Sequence, residues 1–324
     1  WQRSGWEETT ELLAGIHAQD ATPVIHWLAQ AQPEVAAQCI LDSGAKIANR
    51  EALLHELHSA WMPRLLAEPQ VEARAAIGRA LGRLDLDRRK GVGLRADRLP
   101  DIDWVDIAEG DFIYQEDERR HLPAFSIARY PITNAQFEAF LKASDGYRED
   151  RWWAGLAQPD RQPMQPRWTE GNHPRERVSW FEAMAFCAWL SFKRGDAVRL
   201  PTEWEWERAA RFTDGRNYPW GNDFVEENAN TDVRLARTSP VGIYPQGASM
   251  AGVMDLSGNV REWCRNEDLK PKRTQAGGRE SRVLRGGSWL NASYVARAGY
   301  RNNDDPVNRY SRLGFRVVCS SPIR

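Results

Sequence analysis

Residues 200–210 read Leu200-Pro-Thr-Glu-Trp-Glu-Trp-Glu-Arg-Ala-Ala210. Thr202 stands three residues before Glu205, so hydroxyl and carboxylate can cap each other's exposed N–H groups and open a helix carrying Trp206 and Ala209. Working outward, the same signature recurs at Ser179/Glu182, before Ala185, Phe186, Trp189 and Leu190, and at Thr133/Gln136, before Phe137, Phe140 and Leu141. Around these helices the chain reads as short strands. Asp103–Ile107 and Asp111–Tyr114 are expected to form a hairpin about Glu109-Gly110, and Ala124–Tyr130 a further strand. From Tyr218 onward, loops rich in Gly, Asn, Asp and Pro separate short strands. A few helices among short strands and long loops make an α+β domain, assigned to residues 101–324.

Residues 1–84 have a different texture. Leu12, Leu13 and Ile16 follow Trp6 at helical spacing, and Pro33-Glu34 can open a helix through Cys39 and Ile40. Leu53, Leu54, Leu57 and Trp61 mark a longer helix that Pro63 is expected to interrupt, and residues 68–84 repeat the pattern. This small all-α region suggests the end of a longer helical array. Residues 85–100, with Arg88-Arg-Lys90, Gly91-Val-Gly93 and Leu99-Pro100, read as the linker between the two parts.

The 324 residues carry 44 Lys plus Arg against 45 Asp plus Glu, a formal net charge of −1. The balance holds along the chain, with 12 basic and 13 acidic residues in 1–100. No general field is present to attract nucleic acid or an anionic membrane, and neither is expected as a partner. Cys39, Cys187, Cys264 and Cys319 form no C-x-x-C pair, so free, buried thiols in a reducing, cytoplasmic setting are expected. The chain opens at Trp1 without Met or a signal pattern, and is expected to begin inside a longer protein.

Several motifs, in order, resemble the formylglycine-generating enzyme (sulfatase-modifying factor) family. They are Trp104-Val-Asp-Ile-Ala-Glu-Gly110, Tyr130-Pro-Ile-Thr-Asn-Ala-Gln-Phe137, the 200–210 stretch, Tyr218-Pro-Trp-Gly221, Asp255-Leu-Ser-Gly-Asn-Val-Arg-Glu-Trp263, Arg285-Gly-Gly-Ser-Trp289 and Leu313-Gly-Phe-Arg-Val317. The resemblance implies a C-type-lectin-like fold over residues 101–324, preceded by the all-α region. It also implies where catalysis would sit. The catalysts of this family use two Cys after the Gly-Gly-Ser-aromatic motif, which fall here at Asn291 and Ala296. Neither side chain supplies a thiolate. The related sulfoxide-synthase branch builds an iron site with His from an N-terminal helical bundle. Here that region holds His17, His26, His55 and His58, and His55-Glu-Leu-His58 is one residue short of the H-E-x-x-H spacing. The expectation is a protein that is not an enzyme and requires no cofactor. An enzyme of either type with relocated chemistry, or a fixed-specificity sensor, are the alternatives.

Residues 285–318 resemble the variable region of proteins diversified by diversity-generating retroelements. Rewriting of adenines in such elements leaves out Trp, Met, Lys, Glu and Gln. These five types make up 63 of the 324 residues, yet residues 290–312 contain none. Random drawing would leave such a gap about one time in a hundred. The ligand-binding residues expected there are Leu290, Ala292, Ser293, Tyr294, Val295, Tyr300, Asn303, Asp304, Asp305, Val307, Tyr310, Ser311 and Arg312. The three Tyr would be anchors and the charged residues would set complementarity toward a ligand, expected to be a protein. An upstream effector or signalling module is the expected second partner. Behind the face, Trp204, Trp206, Trp220, Trp263 and Trp289 with Arg285, Arg297, Arg301 and Arg316 are expected to form a fixed framework. The resemblance also makes Asp255, Gly258, Val260 and Glu262 a candidate structural calcium site, two carboxylates and two carbonyls. A second family site, beginning at Asn230 and Thr231, meets a shortened loop at 232–240.

Overall fold

The computed structural model describes residue 5 and residues 7–16, 20–41, 44–157 and 161–320. Trp1, Trp6 and His17 lie outside the described residues. The first part is all helical: α1 (Glu7–Ile16), α2 (Thr22–Ala31), α3 (Pro33–Leu41), α4 (Arg50–Ala67) and α5 (Val71–Arg83). The expected break at Pro63 does not occur, since α4 runs through it to Ala67. A proline inside a helix costs about 3 kcal/mol. The flanking residues offset this by burial: Leu65 and Trp61 are completely enclosed, and the Trp61 indole donates to the Ala29 carbonyl at 3.0 Å.

The second part continues with β1 (Trp104–Ile107), β2 (Gly110–Tyr114), β3 (Glu118–Leu122), β4 (Phe125–Ala128), α6 (Asn134–Lys142), α7 (Trp180–Arg194), β5 (Val198–Arg199), α8 (Glu203–Arg211), β6 (Arg261–Glu267), β7 (Arg282–Arg285), β8 (Asn302–Asp304), β9 (Leu313–Gly314) and β10 (Val318–Cys319). All three capping boxes are present, and each opens its helix at the residue the sequence indicates. The hairpin expected between residues 103–107 and 111–114 is not formed. β1 pairs with β4, Trp104 opposite Ala128, while β2 pairs with β3. The reason is burial. Val105 and Ile107 alternate inward and belong with Ile127 and Val318 in one apolar cluster, so β1 joins the sheet β1-β4-β10-β5 instead of its sequence neighbour.

The second four-stranded sheet, β8-β7-β6-β9, carries the C-terminal loops. Beside it, α7 buries Trp180, Phe186 and Trp189 against Phe137, Phe140 and Phe315, with Phe137 and Phe186 stacked at 5.7 Å. The helical region is packed directly onto this domain. Its apolar cluster includes Ile243 and Tyr244. Gly78 and Gly82, one turn apart on α5, let the loops approach closely: a Cβ on Gly82 would lie 2.1 Å from the Asn172 side-chain oxygen. The Asn172 amide donates to the Gly78 carbonyl at 2.7 Å and to Asp87 at 2.8 Å. The connecting segment is likewise packed. Asp87 and Val92 are buried, and the Thr133 hydroxyl donates to the Val92 carbonyl at 2.7 Å.

A candidate recognition face on a locked framework

The framework behind the C-terminal loops is made of buried guanidinium–carboxylate pairs. Arg285 on β7 meets Glu207 of α8, both fully buried. The same guanidinium donates to the carbonyls of Ala298, Gly299 and Tyr300 at 3.1–3.3 Å, which fixes the loop backbone entering β8. Burial pulls this guanidinium down to about 10. Arg316 forks onto Glu262 at 2.6 and 2.7 Å and also donates to the carbonyls of Ala128, Arg129 and Met254. The Trp206 indole donates to the same Glu262 carboxylate at 2.7 Å. Arg301 bridges Asp268 and Glu203, the latter at 2.7 Å, and Glu203 also accepts the Tyr114 hydroxyl at 2.9 Å. Trp289 joins the two loops, its indole donating to the Ser311 carbonyl at 3.1 Å. Trp206, Trp263 and Trp289 are buried. Trp204 and Trp220 are half-buried, and Arg297 is exposed with its Nε on the Tyr294 carbonyl.

In front of this framework the chain makes two excursions, one from β7 to β8 and one from β8 to β9. Leu290, Ala292, Tyr294, Asn303, Asp305 and Tyr310 are exposed; Tyr294 retains 57% of its surface and Leu290 44%. Ser293, Tyr300, Asp304, Val307, Ser311 and Arg312 are half-buried. Val295 departs from the expectation. It is 6% exposed, on the inner side of the 3₁₀ turn Ser293–Ala296, and cannot be displayed to a ligand. Val307 packs in part against the main aromatic core. Tyr294 and Tyr300 meet edge-to-face at 6.3 Å, and the Arg312 guanidinium lies 4.5 Å over the Tyr310 ring. Asp304 turns toward its own loop, accepting from the Asp305 N–H at 2.9 Å and the Asn308 amide at 2.5 Å.

Next to these loops lies a half-buried residue absent from the expected set, Arg261. Its N–H donates to the Arg312 carbonyl at 2.8 Å, and its Nε to the Asn291 side-chain oxygen at 3.1 Å. Strand alternation alone does not mark it, since Glu262, Trp263 and Cys264 on β6 are all buried. Glu262 points into the framework, so its neighbour Arg261 on β6 must point to the other side.

Asn291 and Ala296, at the positions of the family's two Cys, are both structural here. The Asn291 side-chain oxygen also accepts the Ser288 hydroxyl at 2.7 Å, and Ala296 is fully buried. The four Cys are buried, none of them near these positions in sequence. The calcium reading does not fit the residues. Glu262 already accepts two hydrogen bonds from Arg316 and one from Trp206, and the Arg316 guanidinium matches its charge. Asp255 accepts the Gly242 N–H at 2.7 Å, and its burial raises it to about 6. The positive charges acting on Asp255 are Arg316 and Arg89. His55 and His58 both lie on α4, and His17 lies outside the described residues.

Residues 95–321 match the Sulfatase-modifying factor enzyme 1-like domain. The chain belongs to that family. Within it, a protein named hercynine oxygenase from Mycolicibacterium thermoresistibile is 34% identical over 269 residues, covering 70% of this chain and 58% of the relative. The chain thus spans a little over half the length of that curated relative. Among solved structures, PvdO from Pseudomonas aeruginosa is 27% identical with a TM-score of 0.57, covering 72% of this chain and all of that one. Treponema denticola variable protein 1 superposes with a TM-score of 0.54 at 24% identity, covering 67% of this chain and 95% of that one, and shares the fold.

These relatives correct the expectation that the chain is not an enzyme, since similar proteins are named as oxygenases. Two absent cysteines exclude only the thiolate route of one branch of the family. They do not bear on a reaction that needs no sulfur ligand from this chain. No described helix is long and apolar enough to cross a membrane.

Proposed function

We propose that the face around Arg261, bounded by Leu290, Tyr294, Tyr300, Tyr310 and Arg312, is a substrate-binding surface, and that the chain supplies the substrate-holding domain of an oxygenase-type protein. One observation carries this. The backbone of both loops is held from behind, by Arg285 on three carbonyls and by Trp289 on Ser311, while the side chains in front hold little of the fold. Such a division leaves the face free to serve recognition. The oxygenase part rests on the named relatives. Titrating hercynine into the chain by calorimetry tests it. Saturable binding, weakened at least fivefold by Tyr310→Ala or Leu290→Ala, is expected. No binding of hercynine sinks the oxygenase part.

A second reading is supported by the composition of residues 290–312, which lack Trp, Met, Lys, Glu and Gln. In it, the face is diversified by a retroelement and meets protein ligands on behalf of an upstream module. Its test is the DNA beside the gene. A near-copy of the codons for residues 285–318 that differs at adenines, next to a reverse transcriptase, is expected; no such copy means a fixed specificity.

A further inference from the structure

The recognition face holds two cations that no carboxylate of the described residues pairs with. Arg261 uses its Nε on Asn291, and no described group accepts from its two terminal nitrogens. Arg312 makes one described side-chain interaction, its stacking on Tyr310. The two residues are neighbours across the parallel β6–β9 pairing, where Arg261 lies opposite Leu313 and bonds to the Arg312 carbonyl. Behind the face, Arg285, Arg301 and Arg316 each meet a carboxylate. Burial, and next the charge of Arg312, push the Arg261 guanidinium below its usual range, with Tyr300 and Asp304 acting in the opposite sense. Like charges brought together and partly desolvated oppose each other unless an anion joins them.

We propose that Arg261 and Arg312 together bind a carboxylate group of the ligand, while its apolar or aromatic part lies against Tyr294, Tyr300 and Tyr310. This rests on the face being the binding surface. The planar forks of two guanidiniums suit the two oxygens of a carboxylate, and fixed tyrosine rings offer large contact area with few rotors. The carboxylate can belong to a free small molecule or to an acidic side chain of a peptide, and the two are separated by the probes below.

The experiment titrates the full chain with N-acetylglutamate, with a blocked peptide carrying a single Glu between Ala residues, and with inorganic phosphate. Saturable binding of at least one carboxylate probe is expected, weakened at least tenfold by Arg261→Gln and by Arg312→Gln separately. Arg297→Gln, an exposed guanidinium on the same loops, is expected to leave affinity within twofold. Arg312 is half-exposed, so Arg312→Gln retains the thermal midpoint. Should Arg261→Gln fail to fold, Arg261→Lys keeps the charge without the fork and still loses affinity. Binding of the acid but not the peptide marks a small-molecule site, and the reverse marks an acidic peptide. The proposal is overturned by no binding of either carboxylate, by tighter binding of phosphate, or by equal weakening in Arg297→Gln. Carboxylate binding without hercynine binding leaves it standing and removes only the oxygenase reading.

Discussion

Arg316 and Arg312 are four residues apart and live in opposite regimes. Arg316 is wholly buried, forks onto Glu262 and donates to three carbonyls, so all its N–H groups are used and its position is determined. Arg312 stands half-exposed on an aromatic ring without a described carboxylate. The framework and the face therefore use the same residue type for different ends. In the interior a guanidinium secures backbone that has no regular ladder to secure it, which a β/loop domain needs many times over. At the surface, an unmatched guanidinium leaves its hydrogen bonds for a ligand.

The comparison can be broken most forcefully at Arg316. Arg316→Ala leaves Glu262 buried without its partner and orphans three carbonyls, and should destabilise by about 3–5 kcal/mol, measured by urea unfolding. A loss under about 1 kcal/mol would mean the framework does not depend on this pair.

Asp255 gives the next largest effect, with the opposite sign. Its folded value of about 6 lies above its ordinary 3.8, so the folded state holds the proton more tightly than the unfolded one. This group favours folding below about pH 4, and stability falls as pH rises from there to about 6. A two-unit rise corresponds to about 3 kcal/mol, so Asp255→Asn, whose amide oxygen can still accept the Gly242 N–H, should stabilise on that order at pH 7. Thermal melts at pH 4, 5, 6 and 7 would show a flatter profile in the variant; parallel profiles would refute it.

Gly82→Ala tests whether the helical region belongs to the same unit. The new Cβ would displace an Asn172 side chain that is tied to Gly78 and Asp87, at a cost of about 1–3 kcal/mol. Hydrogen exchange should speed up across α5 and residues 171–173 together, and unchanged exchange there would separate the two parts. The smallest effect belongs to the face. Tyr310→Ala should shift stability by less than about 0.5 kcal/mol while weakening binding, and a large fall in the thermal midpoint would return Tyr310 to the framework.

Much of the helical fold was legible. Thr133/Gln136, Ser179/Glu182 and Thr202/Glu205 each bond within three residues, so the signal and the structure are both local. The extent of α4 was not, because Pro63 argues locally for a break and is overruled by Trp61 and Leu65 packed against distant helices. At the face, the loops were legible from composition and motif order, whereas Val295 could not be told from its exposed neighbours, and Arg261 lay within a motif that reads as framework. The separation of Glu262 from Arg261 is a matter of which side of β6 faces inward, and Glu262 reveals it only once paired with Arg316.

The sequence by itself determined where helices start, that the domain is α+β with a lectin-like order of motifs, and which segment carries the unusual composition. These depend on contacts between near neighbours or on the order of residues along the chain. Only the tertiary structure decided that β1 pairs with β4 and not β2, that Glu262 pairs with Arg316, and that the Arg261 N–H meets the Arg312 carbonyl. Those pairings join residues 18 or more positions apart. Their energy comes from burial and charge matching in a shared interior, and no local pattern encodes which distant partner will be there.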